Sequence, residues 1–310
     1  MKKSVLVIAL AFGVTGAFAQ DLTSKKGEPM LPEAEDWAIS MNADPIFNFI
    51  GNAFNGNTSN GAPGVNWMNG NQTIIGKKFI DEKNAYRVLV RLGFTNETYK
   101  NMVSDDANIT APVFPATSPM VEDKFKMRNT TIGIGAGKEM RRGKTRLQGY
   151  YGADAMIWIS SSANKYEYGN TMTGNPTAAG QTATPTSTTW NASTGAVTGT
   201  PNNTSRMLST KSGMTFGIGV RGFIGAEYFI FPKIAIGAEY GWGIGFQTSG
   251  KGKSVVETTG GVGTPTTGEV ETETSGSSKF GFDTDLNQGT IFGFKGSNTG
   301  TASLRATFHF

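Results

Sequence analysis

The side chains able to do chemistry are few, and their spacing argues against most of it. The 310-residue chain has no Cys and a single His, His309. Without Cys there is no disulfide framework, thiolate metal site or thiol nucleophile. One His excludes a His-rich metal site and allows a His-centred triad only at position 309. Gly217-Ile218-Gly219-Val220-Arg221-Gly222 matches the glycine pattern of dinucleotide sites, which need a strand-to-helix turn. Here the motif sits inside one strand with another strand behind it, so the glycines read as small inward residues. Gly143-Lys144-Thr145 has the end of a phosphate-binding loop, but the glycine required upstream is replaced by Lys138. It reads as a hairpin turn. Glu257, Glu269, Glu271, Glu273, Asp283 and Asp285 recur late in the chain. Their extended spacing lacks the glycine turn that lets oxygens converge on calcium, so they read as solvated loop charge. No catalytic residue, metal or cofactor is assigned, and the chain is expected to be non-enzymatic.

Isolated charges within alternating runs carry more information. Arg87, Arg91, Arg146, Asp154, Arg221, Glu227, Glu239 and Arg305 share the polar, glycine-rich faces of such runs. Inside one narrow lumen, single charges would be costly, whereas a mutually paired network is tolerable. Glu239 is expected to pair with Arg305, Arg221 or both. Such pairing predicts a plugged interior, and the alternative is a gated small pore.

The elements that must hold these residues alternate with a period of two. Ile234, Ile236, Ala238, Tyr240, Trp242, Ile244 and Phe246 oppose Ala235, Gly237, Glu239, Gly241, Gly243, Gly245 and Gln247. Met214, Phe216, Ile218, Val220, Ile224 and Tyr228 precede them on a partner strand, across the turn Phe231-Pro232-Lys233. Thr73–Ile80 and Ala85–Phe94 flank Asp81–Asn84, and Phe125–Lys138 and Thr145–Ile159 flank Glu139–Lys144. Trp37, Ile39 and Met41 begin the first run, and Ala302, Leu304, Ala306, Phe308 and Phe310 close the last. The pattern predicts eight strands, with ten as the alternative if Lys279–Phe282 and Thr290–Phe294 also pair. Short turns alternate with long loops at about 51–71, 96–124, 160–211 and 248–300. The last two loops are Thr/Gly/Ser/Asn tracts with too few apolar residues for a core of their own.

Composition agrees with this layout. Glycine numbers 42, Phe 20 and charged residues only 17%, which suits an all-β chain with polar loops. The formal charge of +4 gives no reason to expect nucleic acid as a partner. Lys2 and Lys3, the apolar run Ser4–Gly16 and Ala17-Phe18-Ala19 read as a signal peptide over 1–19. Residues 20–36 then form a periplasmic N-terminal segment. An exported chain of this kind is either a soluble sandwich or a transmembrane antiparallel β-barrel over 37–310. Bulky apolar residues opposite a glycine-rich charged face, with tight turns at one end and long loops at the other, predict the barrel. Its interfacial aromatics are expected to be Trp37, Phe79, Tyr86, Phe94, Trp158, Tyr228, Phe246, Phe308 and Phe310.

The leader ending before Gln20, the hairpin Gly76–Arg87 and the terminal strand Ser303–Phe310 resemble the small outer-membrane barrels of Bacteroidota. Those are similar in architecture to OmpA-type and OmpX-type eight-stranded barrels, and no peptidoglycan-binding domain is expected after Phe310. The resemblance implies a bacterial cell outer-membrane location, and short turns only after strands two, four and six predict periplasmic termini and extracellular long loops. Expected partners are outer-membrane lipid, lipopolysaccharide and other envelope proteins. The expected function is presentation of surface loops or membership of an envelope complex. A narrow channel for ions or small solutes and an outer-membrane enzyme are the alternatives.

Overall fold

The computed structural model describes residues 22–24, 26–43, 50, 56, 73–108, 116–175, 181–260, 266–283 and 302–310. The expected signal peptide and Thr290–Phe294 lie outside these residues. All sixteen elements are strands: β1 (Trp37–Asn42), β2 (Ile74–Asp81), β3 (Asn84–Ser104), β4 (Met120–Arg142), β5 (Leu147–Glu167), β6 (Thr171–Met172), β7 (Gln181–Thr182), β8 (Thr189–Trp190), β9 (Val197–Gly199), β10 (Ser205–Lys211), β11 (Thr215–Phe231), β12 (Ile234–Ser249), β13 (Gly252–Gly260), β14 (Thr266–Thr274), β15 (Ser277–Asp283) and β16 (Ala302–His309).

Twelve of them form one large antiparallel sheet with the order β11-β12-β16-β1-β2-β3-β4-β5-β10-β13-β14 and β15 against β12. The eight runs read from the sequence fall on β1, β2, β3, β4, β5, β11, β12 and β16. β11 pairs with β12 from Thr215↔Ser249 to Phe231↔Ile234. On its other side it pairs with β5 from Thr215↔Ser160 to Tyr228↔Leu147. Every strand of this set of eight therefore has a hydrogen-bonded neighbour on both sides.

The strands differ from the expected ones in length. β3, β4 and β5 run for 21, 23 and 21 residues, whereas β1, β2 and β16 have 6, 8 and 8. The expected loop at 96–124 is strand at both ends, over 96–104 and 120–124, because β3 and β4 stay paired up to Ser104↔Met120. At the other end β4 continues through Glu139 and Arg141, residues expected in the turn, because both keep the inward parity of the strand and are buried. Beyond Ser160, β5 exchanges β11 for β10 through Ala163↔Lys211 to Lys165↔Ser209. The β13–β14 hairpin lies beyond β10.

Local chemistry closes the turns. Asp81 Oδ1 accepts from the Lys83 amide at 2.7 Å and from Asn84 Nδ2 at 3.0 Å, an Asx turn built by its own side chains. Residues 29–36 pack against this turn end. Met30 is buried against Phe229 and Ala235, and Asp36 lies 3.2 Å from Lys233 Nζ.

Candidate functional site

Register places the inward charges in rows. Passing from β2 through β3, β4 and β5 to β11, the residues Lys77, Arg87, Gly137, Asp154 and Arg221 are successive partners. One row nearer the turns stand Phe79, Ala85, Glu139, Gly152 and Phe223. One row nearer the loops stand Ile75, Leu89, Gly135, Met156 and Gly219. Period two puts all three rows on the same, buried face.

The charged side chains interlock. Arg87 Nη1 reaches Glu239 at 2.9 Å and Glu139 at 3.3 Å, and its Nε is 3.4 Å from Asp154. Arg221 joins Glu239 at 2.7 Å and Asp154 at 3.2 Å. Lys77 Nζ is 2.9 Å from Glu139 and 3.9 Å from Glu227. Arg141 pairs with Glu139 at 3.2 Å and also with Glu227. All these side chains are almost fully buried. The Phe223 ring lies 3.8 Å from the Arg87 guanidinium carbon, and Phe79 lies 5.3 Å from that of Arg141. Each carboxylate thus meets at least two cations, the condition under which buried charge persists.

Glycines make room for the largest inward groups. A Cβ at Gly241 would stand 2.3 Å from Arg221 Nε, and one at Gly217 would stand 2.0 Å from the Trp158 indole. The glycine pattern singled out in the sequence is therefore packing inside β11. His309 is buried beside Phe79 and Phe229, at ring separations of 5.4 and 5.1 Å, with Nε2 3.9 Å from Glu227.

The expected residues sort as follows. Arg87, Asp154, Arg221, Glu227 and Glu239 meet in the network. Glu239 takes Arg221, as expected, and Arg87 as well. Arg305 is buried and donates to Ser40 Oγ at 2.9 Å and to the Ser40 and Thr73 carbonyls at 3.3 Å. Arg91 is buried at the next inward position beyond Leu89. Arg146 lies half-buried in the turn before β5, outside the network. Lys77, Glu139 and Arg141 belong to the network and were missed. Lys77 shares parity with Ile75 and Phe79, a legible signal; the other two were hidden by placing the strand end too early.

Two expected interfacial aromatics are corrected. Phe79 and Trp158 are 0% and 1% exposed, because their parity puts them in the inward rows. Phe79 covers Arg141, and Trp158 packs with Ile75, Leu89 and Met156. Trp37, Tyr86, Phe94, Phe246, Phe308 and Phe310 are exposed on the outer face, and Tyr228 is half-buried.

Towards the loops the faces exchange character. On β4 the outward Ile134 and Ile132 give way to Arg128, Lys126 and Lys124, while the inward side changes from Glu139 to Met127 and Phe125. On β5 the outward Ile157 and Ile159 give way to Ala163, Lys165 and Glu167, and inward Asp154 to Tyr166. Phe125, Met127, Tyr166 and Trp190 form a buried cluster joined by Tyr99, Tyr168 and Met207. Phe125 stacks on Tyr166 at 4.7 Å and on Trp190 at 5.8 Å. Buried Asp123 accepts the Gly169 and Thr188 amides at 2.9 and 2.7 Å, fixing the loop that delivers Trp190. The loop needs no core of its own because it completes one begun by the strand extensions. On β13 and β14, three of the late acidic residues are paired: Glu257 with Arg206 at 2.8 Å, Glu273 with Lys251 at 2.8 Å, and Glu271 with Lys253.

No protein-family model, curated protein or solved structure matches this chain.

Proposed function

We propose that β1–β5, β11, β12 and β16 close as an eight-stranded β-barrel in a bacterial outer membrane, with a filled interior. The short turns and both termini face the periplasm, and the β-rich loops face outside. In this reading the protein is non-enzymatic and works through contact, as a presenter of its loop platform or as a subunit of an envelope complex. The small Bacteroidota barrels are its proposed relatives.

The observation that carries the reading is the exchange of faces along β3, β4 and β5. In water a sheet hides its apolar face throughout. Here, below Phe94, Ile132 and Ile159, the apolar face is the exposed one and the charges are buried. That order is stable where the exterior is hydrocarbon. From Ile234 to Phe246 the apolar stripe on β12 runs about 40 Å along the strand at about 3.4 Å per residue. Tilted by roughly 45°, that is about 29 Å, close to the roughly 25 Å apolar band of such barrels. Pairing of β5 with β11 supports closure, and eight strands leave an interior that side chains just fill.

Reconstitution tests both parts. The protein should insert into lipid vesicles, migrate differently before and after boiling, and pass no steady current in a planar bilayer. Steady single-channel conductance by the wild type would replace this reading with the narrow channel. Protease added to intact cells should cut in the outer loops, and cleavage only after lysis would reverse the topology.

A further inference from the structure

We infer that the outer wall carries a binding site for a phosphorylated, multiply acylated lipid of the outer leaflet, formed by β4 and β5 with β10 above and β11 beside them. The inference rests on the proposed membrane insertion and adds a defined ligand site to it.

Two independent features meet on this side. The first is a shallow apolar depression of about 680 Å³ on the outward face, lined by Ile134, Ala155, Ile157, Val220 and Phe246, with Phe280 at its margin. Ala136 and Ala155 are cross-strand partners, and two small side chains between isoleucines leave the hollow. The second is a basic field nearer the loops. The outward residues of one row are Asn96, Arg128, Ala163 and Lys211, and the next row holds Thr98, Lys126, Lys165 and Ser209. Lys100, Lys124 and Glu167 follow. Glu122 and Glu167 neutralise part of this field, at 3.1 Å to Lys100, 3.2 Å to Lys124, 2.9 Å to Lys126 and 3.1 Å to Lys165. Arg128 and Lys211 are exposed on either side of Ala163, with no acidic partner among the described residues. Beside this field, the outward positions at the loop ends of β11 and β12 are uncharged: Met214, just before β11, and Thr248.

The geometry suits one occupant. Arg128 lies six residues beyond Ile134, about 20 Å along the strand. Acyl chains in the depression therefore place a headgroup at the Arg128, Lys165 and Lys211 level. Arg presents a planar fork matched to phosphate oxygens, and Lys adds point charge. Phosphate is the complement of these cations, and the hollow below supplies the hydrophobic seat.

The test uses wild type refolded into neutral phosphatidylcholine vesicles, with heat-dependent migration as the independent check on the barrel. Native mass spectrometry from detergent then compares lipid A with its dephosphorylated form as probes. Wild type should bind the phosphorylated probe at least tenfold more tightly. The Arg128→Gln, Lys165→Gln, Lys211→Gln triple variant should fold normally and fall to the dephosphorylated level. Ala155→Trp, which fills the depression, should weaken both probes. Equal binding of the two probes by wild type, or unchanged preference in the triple variant, overturns the site while leaving the barrel intact. Failure of wild type to insert overturns both.

Discussion

The same three strands, β3, β4 and β5, build two cores of opposite kind. Between the turns and Leu89 the inward side is an ion network sheltered by an apolar wall. Beyond Thr95 and Met127 it is a stack of aromatic rings sheltered by a charged wall. Between β3 and β4 the pairing does not change, since they stay in register from Asn84↔Met140 to Ser104↔Met120. What changes is the side-chain parity pattern, and the change falls at one height on all three strands. Under the proposed membrane insertion, a strand leaving hydrocarbon for water would exchange its faces at such a height, because apolar surface is expelled only by water.

The two cores should therefore fail differently. Removal of Glu239 is the most damaging change, because Arg87 and Arg221 lose a shared buried partner. Breaking a buried pair typically costs about 3–5 kcal/mol. Glu239→Ala should lower the unfolding transition of the whole protein in detergent, and a wild-type denaturation curve would show that the network is solvated.

Trp190→Ala acts on the other core. Replacing a buried Trp costs about 3–5 kcal/mol where the cavity persists, but here the loss should stay local. Residues 168–175 and 181–203 should exchange amide hydrogens and be proteolysed faster, while the melting of β1, β2, β11, β12 and β16 is unchanged. Coupled melting of both regions would mean that they form one cooperative unit.

Gly217→Val sharpens the comparison where the regions meet, since its Cβ would collide with Trp158. Overpacking costs about 1–3 kcal/mol, so an intermediate drop in the global transition is expected. Pairing with Trp158→Ala should relieve most of it, and an additive double variant would place the strain elsewhere.

The smallest effect is expected outside. Lys100 meets Glu122 on the exposed wall, 58% exposed itself, and solvent screening leaves exposed pairs contributing little. Lys100→Gln should leave thermal unfolding within about one degree of wild type, and a larger loss would mean that the outer wall also stabilises the aromatic core.

Much of this was legible without coordinates. Alternation on Ile234–Phe246, on Tyr86–Phe94 and on Leu147–Ile159 states which side chains share a face, because strand parity is fixed by the backbone. Arg87, Asp154, Arg221 and Glu239 could be named as inward for that reason alone. By the same parity Trp158 belongs inward, and weighting ring type over position misplaced it. Length was less legible. Nothing local in Asn96–Ser104 or Met120–Lys124 is apolar enough to announce a strand, and those residues are held in β3 and β4 by cross-strand pairing. Glu139 and Arg141 read as turn residues until their carboxylate and guanidinium find Lys77, Arg87 and Glu227 across the interior. Trp190 lies in a tract with no periodicity, and only the ring faces of Phe125 and Tyr166, 65 and 24 residues earlier in the chain, give it a place. Sequence determined the face of each strand residue, since parity is a property of the chain. Tertiary structure decided partners, strand ends and the loop core, since those depend on groups brought together from distant segments.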